Sequence, residues 1–121
     1  MTRTLLAVAV GGALGAVARW GITEAWPSGA DGFPWSTFAI NVAGSFLLAV
    51  VVGWVAVKQR PLLLAALGPG VLGGFTTLSA VSEQTRALAD GGHVTTAATY
   101  AVATLGAALL AVELGRRVVG R

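Results

Sequence analysis

The sequence predicts an all-α membrane protein built from four transmembrane helices, and three observations predict it. Hydrophobic residues make up 55% of the 121 residues and charged ones only 11%, and the mean hydropathy is +0.79. A soluble domain of this length needs far more charge to build its surface. The apolar residues gather in four long runs, each near the roughly 20 residues that span a bilayer as a helix. The charges fall at the ends of those runs.

The expected spans cover about 4–22, 36–57, 62–88 and 94–114, and the whole of 1–121 is expected to form one four-helix domain. Arg3 precedes the first run, as in a signal peptide, but Arg19 and Trp20 follow at once and three more runs come after, so it reads as a mature span. The turn-rich EAWPSGADGFPW (24–35) leads into span two. The basic link KQRP (58–61) precedes span three, and DGGH (90–93) turns the chain into span four. Short connections make neighbouring helices antiparallel. Trp20, Trp26, Trp35 and Trp54 all fall near span ends, as an interfacial aromatic belt requires.

Topology follows from charge. Arg3, Lys58, Arg60, Arg116, Arg117 and Arg121 share one side, whereas Arg19 and Arg86 lie near span ends on the other, with Glu24, Asp31, Asp90 and His93. The positive-inside rule places both termini in the cytoplasm of a multi-pass plasma-membrane protein. No basic patch interleaved with aromatics is present, so nucleic acid is not an expected partner; membrane lipid is. Cysteine is absent and His93 is the single histidine, which leaves no nucleophile–base pair or metal-ligand set, and no enzyme is expected.

Lipid gives helices no hydrophobic push toward each other, so close approach needs small side chains. Gly11 with Gly15, Gly12 with Ala16, and the line Ser45, Ala49, Gly53 supply them. Such lines serve packing within the chain, and their number also suits an interface with a second chain.

Polar groups at depth are the exceptions to explain. Asn41, in FAINVAGSF (38–46), shares a face with Gly44 and Ser45. It either fixes helix register by an interhelical hydrogen bond or turns an N–H donor toward a polar pathway. Arg19 either snorkels beside Trp20 or caps a vestibule that attracts anions. Span three carries Gly68, Pro69, Gly70, Gly73 and Gly74, which make either a kink or a break near its middle. A break leaves carbonyls that need protein or an ion as partner. Thr76, Thr77, Ser79 and Ser82 follow as a hydroxyl track, extended by Tyr100 and Thr104 at i, i+4 in span four. These donors are amides and hydroxyls. A proton-coupled multidrug exporter needs a mid-span carboxylate, and Glu83 and Glu113 both sit toward span ends, Glu113 with Arg116 and Arg117 at i+3 and i+4. A small polar solute or anion fits better.

In order and spacing, GGALGAVARW (11–20), PWSTFAINVAGSF (34–46), GPGVLGGFTTLS (68–79) and the Tyr100–Thr104 pair resemble the small bacterial fluoride channels labelled CrcB or Fluc. The resemblance implies a dimer of four-helix subunits inserted in opposite orientations. Two fluoride pathways, each lined by both subunits, let fluoride leave the cytoplasm passively. It implies a structural sodium ion, not transported, held by the carbonyls of Gly73 and Thr76 at a break in span three. Asn41, Arg19, Tyr100 and Thr104 take the family's pathway positions, with Thr77, Ser79 and Ser82 as hydroxyl donors. One departure stands out: Leu78 and Val81 occupy the two positions where the family carries phenylalanines whose ring edges face the ion. Phe75 lies close by but one turn from Leu78. The family's acidic residue also falls out of register, with Glu83 one place early and Gln84 at the expected position. Some members pair two unlike subunits. The lost rings and the six-to-two charge bias point to a heterodimer with an oppositely oriented paralogue rather than a homodimer. The alternative is a structural subunit that conducts nothing itself.

Overall fold

The computed structural model describes residues 1–120, so Arg121, counted above among the cytoplasmic charges, lies outside the described residues. The fold is all-helical. In chain order come α1 (Thr2–Ala25), α2 (Trp35–Gly53), the short α3 (Val55–Lys58) and α4 (Pro61–Ala65). A π-helical stretch, Ala66–Leu72, follows α4, and then α5 (Gly73–Phe75), α6 (Leu78–Asp90) and α7 (Val94–Val119). Four helical spans, Thr2–Ala25, Trp35–Gly53, Pro61–Asp90 and Val94–Val119, are long and apolar enough to cross a membrane.

Local chemistry explains where these elements change. Pro69 lies inside the π stretch; lacking an N–H and crowding the carbonyl four residues back, it is accommodated by a wider turn. Thr76 (ψ 155°) and Thr77 (φ −152°, ψ 117°) are extended and separate α5 from α6. Thr77 caps α6, its hydroxyl accepting from the Ala80 amide at 3.1 Å. Span two was expected to continue to 57, but α2 stops at Gly53. Trp54 is extended there, and Val55–Lys58 forms a turn of its own. Gly53 has no side chain, and the Val119 side chain of α7 fills its place. Gly92 takes φ +85° in the turn between α6 and α7, a conformation glycine adopts without strain.

The first small-residue line packs within the chain. A Cβ on Gly11 would stand 3.0 Å from the Val71 nitrogen, and one on Gly15 would run into the Val71 carbonyl and lie 2.8 Å from the Phe75 nitrogen. Gly74 in turn faces the backbone of Gly12, which a Cβ there would meet at 2.9 Å. Helix α1 thus lies backbone to backbone on the π stretch and α5. The second line meets α7, where a Cβ on Gly115 would lie 2.8 Å from that of Ala49. Val81, Leu88, Ala97 and Tyr100 form a buried cluster with Phe33 and Phe38 against it. The Phe33 ring meets the Tyr100 ring edge-on at 5.3 Å, which folds the 24–35 connection back onto the bundle. Asp31 Oδ1 and His93 Nε2, 3.1 Å apart, tie the same connection to the α6–α7 turn. All four tryptophans are more than half exposed, as a belt at the lipid interface would be.

Replacing Gly15 by valine should therefore cost about 1–3 kcal/mol or more through overpacking against backbone that cannot yield. Gly106→Ala, at a site with nothing within 4 Å of the added carbon, should be tolerated. Thermal unfolding in detergent, followed by size-exclusion, checks both; equal midpoints would contradict this packing.

Candidate functional site

The extended pair Thr76–Thr77 cannot satisfy its backbone helically, and a side chain from another helix completes it. Asn41 is buried on α2. Its Oδ1 accepts the Thr77 amide at 2.8 Å, and its Nδ2 donates to the Thr77 carbonyl at 3.1 Å and the Thr37 carbonyl at 3.0 Å. One amide group thus brackets both backbone groups of Thr77. Both Nδ2 hydrogens are used, so of the two readings of Asn41 the geometry matches the register-fixing one.

That bracket frees carbonyls. In a continuous helix the Thr77 amide would bond to the Gly73 carbonyl and the Ala80 amide to that of Thr76. Here the Thr77 amide goes to Asn41 and the Ala80 amide to the Thr77 hydroxyl. The two carbonyls that the resemblance assigns to sodium are both among those whose helical donors are diverted at this junction. Gly73 is exposed and Thr76 half-buried, so both remain within reach of a ligand. Hard cations favour such neutral oxygens. Arg19 comes to the same junction from α1, its Nε donating to the Gly74 carbonyl at 3.2 Å.

The other expected residues divide into an outer edge and an inner chain. Leu78 is 70% exposed, and Ser79 and Ser82 are exposed beside it. The Ser79 and Thr77 hydroxyls lie 3.1 Å apart. Val81, by contrast, is 5% exposed in the core cluster, although it lines the floor of the same recess as Leu78 and Ser82. Phe75 turns to α2 instead, its Cδ1 lying 3.2 Å from where a Gly44 Cβ would stand. Thr104 is buried and donates to the Tyr100 carbonyl at 2.7 Å.

Tyr100, 0% exposed, leads to two residues that the sequence reading did not assign. Its hydroxyl donates to Gln84 Oε1 at 2.6 Å, and Gln84 Nε2 donates to the Thr37 hydroxyl at 3.0 Å. Thr37 is 1% exposed and passes the chain to Asn41 through its carbonyl. The i, i+4 spacing of Thr37 and Asn41 was the available signal. Tyr100, Gln84, Thr37, Asn41 and Thr77 therefore form one neutral hydrogen-bonded run through three spans. The ion pairs lie outside it: Arg86 with Glu83 and Asp90, and Arg117 with Glu113.

Comparison with known proteins bears on what such a run serves. Residues 6–116 match the family model described as CrcB-like protein, Camphor Resistance (CrcB). The chain belongs to the CrcB family. Among its relatives is a protein of Thermus thermophilus named fluoride-specific ion channel FluC, 45% identical over 95% of this chain and 92% of its own length. A protein of Novosphingobium aromaticivorans with the same name is 44% identical over 95% and 94%, and one of Rhizobium meliloti is 39% identical over 92% and 91%. CrcB membership and the four apolar spans make this a multi-pass membrane protein.

Asn41→Leu should leave the Thr77 amide and carbonyl unpaired, costing about 1–3 kcal/mol for each group left buried. Hydrogen exchange at the Thr77 amide should then accelerate by at least roughly tenfold, the equivalent of about 1.4 kcal/mol. Unchanged protection at Thr77 would contradict the bracket.

Proposed function

We propose that this chain is a subunit of a fluoride-specific channel that lets fluoride leave the cytoplasm passively. The observation that carries the reading is the neutrality of the run from Tyr100 to Thr77, in a chain whose relatives are named fluoride-specific channels. Fluoride is small and tightly hydrated. Entry requires closely spaced donors that replace its water, and exit requires that no fixed cation trap it. Hydroxyls and amides meet both demands. The exposed hydroxyls of Ser79 and Ser82, with Thr77 behind them, offer donors at the outer edge. Tyr100 and Thr104 line the inner side. Arg19, tied to the Gly74 carbonyl, supplies positive potential near one end.

The working unit in this reading is an antiparallel dimer, with the third span broken at Thr76–Thr77 and facing the partner. A structural sodium ion, when bound, neutralises and orders the exposed carbonyls at the centre of that dimer. Gly73 and Thr76 would hold it, since their helical donors are diverted. The positive-inside bias supports cytoplasmic termini and, being strong, a fixed orientation. A chain of fixed orientation needs an unlike, oppositely inserted partner. The exposed Leu78 favours the same conclusion, because an aliphatic group cannot offer the positive ring edge that attracts an anion. The second reading, a subunit that completes the dimer without conducting, rests on that one residue.

Purified protein in liposomes should release fluoride, and not chloride, when a potassium gradient drives efflux and an electrode follows it. Release should be greatest when the unlike partner is present. Asn41→Leu releases the Thr77 amide and carbonyl that the bracket holds, at about 1–3 kcal/mol for each group left unpaired, and by disordering the junction should lower flux by roughly ten- to a hundredfold. Equal chloride and fluoride release would contradict the channel reading. Full-rate fluoride release by this chain alone would contradict only the need for an unlike partner.

A further inference from the structure

The two ends of the bundle differ in charge, and the basic end borders an apolar groove. At the end where α1 begins stand Arg3, Lys58, Arg60, Arg116 and Arg117, with Glu113 as their one side-chain carboxylate. Arg117 holds that carboxylate at 2.8 Å. Arg3, Lys58, Arg60 and Arg116 are exposed and have no acidic partner among the described residues. The other carboxylates, Glu24, Asp31, Glu83 and Asp90, lie at the far ends of the spans. In a bilayer, the anions nearest to such a collar of cations are lipid phosphates.

The groove lies between α2 and α7 at this same end. It holds about 360 Å3 and is lined by Val50, Trp54, Val55, Val118 and Val119. The break after Gly53 creates it. Val119 seats where a Gly53 side chain would stand, and Trp54 leaves the helix with ψ 117°. Trp54 is then 58% and Val55 61% exposed, while Val57 turns inward and anchors α3. Lys58 follows Trp54 at i+4, its amide bonded to the Trp54 carbonyl at 2.8 Å, so it shares a face with the indole. On α7, Arg116 precedes Val119 by one turn. Cations from both walls thus border the mouth of an apolar groove, and a tryptophan marks the interface level.

We propose that this groove is a site for one anionic phospholipid, an acyl chain lying along Val50 and Val119 and the phosphate held by Lys58 and Arg116, with Arg60 beside them. Such a site needs no assumption about the conducted ion. Lipid chains are as apolar as valine, so the groove fixes the position of a chain but selects little. Selection comes from the headgroup charge. A second, oppositely inserted copy would bring its far end to this level, but there the acids are engaged. Glu83 and Asp90 hold Arg86 and Asp31 meets His93, which leaves Glu24 to answer four cations. Anionic lipid is the better complement.

The test is tryptophan quenching in nanodiscs, which offer the same lipid to both faces of the protein. Discs of phosphatidylcholine carry a minor fraction of brominated phosphatidylglycerol or of brominated phosphatidylcholine. Quenching of Trp54 is the wild-type signal less that of Trp54→Phe. Each cation contributes roughly fivefold to the affinity for an anionic headgroup. Brominated phosphatidylglycerol should therefore win by roughly tenfold or more in wild type. Lys58→Gln combined with Arg116→Gln should bring the two lipids near parity, whereas Arg86→Gln, which removes a cation at the other end, should keep the preference. Equal quenching by both lipids in wild type, or a preference that the double variant retains, overturns the proposal. Absence of quenching at Trp54 by either lipid also overturns it and is the result expected if a second copy covers the groove. Native mass spectrometry needs no tryptophan variant. Wild-type ions released from detergent should retain phosphatidylglycerol over phosphatidylcholine and the double variant should not; equal retention by the two proteins overturns the proposal as well.

Discussion

Everything at the centre of this bundle depends on one constraint: a backbone that leaves the helical conformation inside an apolar medium must find partners for its polar groups. Thr76 and Thr77 leave it, and the Asn41 side chain answers for Thr77 on both sides. An asparagine suits that task because it carries a donor and an acceptor on one planar group, and its two bonds to Thr77 match the pattern of a neighbouring peptide. Leucine or alanine at 41 would leave an amide and a carbonyl exposed to the bundle interior. Aspartate could accept from Thr77 but could not donate back.

The packing around the junction serves the same end. Gly11 and Gly15 bring α1 close to the wide π turn at Pro69, and Gly74 lets the chain after that turn sit against Gly12. With α1 fixed so closely, Arg19 reaches the Gly74 carbonyl, and the Phe75 ring is directed over Gly44 of α2. Each of these contacts restrains a residue next to the junction. The carbonyls of Gly73 and Thr76 are thereby presented by rigid neighbours, as holding an ion with neutral oxygens requires. Beyond them the polar run continues to Tyr100 without an ionised side chain, so the interior offers a small anion donors rather than a fixed counter-charge.

Much of this was legible in the sequence because it is written in local signals. Gly73–Gly74 followed by clustered hydroxyls marked the junction, and Asn41 stood out as an amide in an apolar run. The glycine lines of α1 announced close packing, although not which neighbour they meet. The roles of Thr37 and Gln84 were not legible. Gln84 lies 47 residues from Thr37 and 16 from Tyr100, and only the folded bundle brings them together. The unequal burial of Leu78 and Val81 was not legible either: at i and i+3 on α6 they share a face and line one recess, but only Val81 is covered by the buried cluster around Tyr100. The end of α2 at Gly53 likewise depends on Val119 arriving from the far end of the chain.

The central claim is that the Gly73 and Thr76 carbonyls stand outside the helical hydrogen-bond ladder, as the proposed sodium site requires. Isotope-edited infrared spectroscopy, with a heavy carbonyl placed at each position in turn, measures this directly. Both bands should fall away from the helical amide position, and both should move when sodium is exchanged for N-methylglucamine. Bands at the helical frequency that ignore the cation would contradict the account.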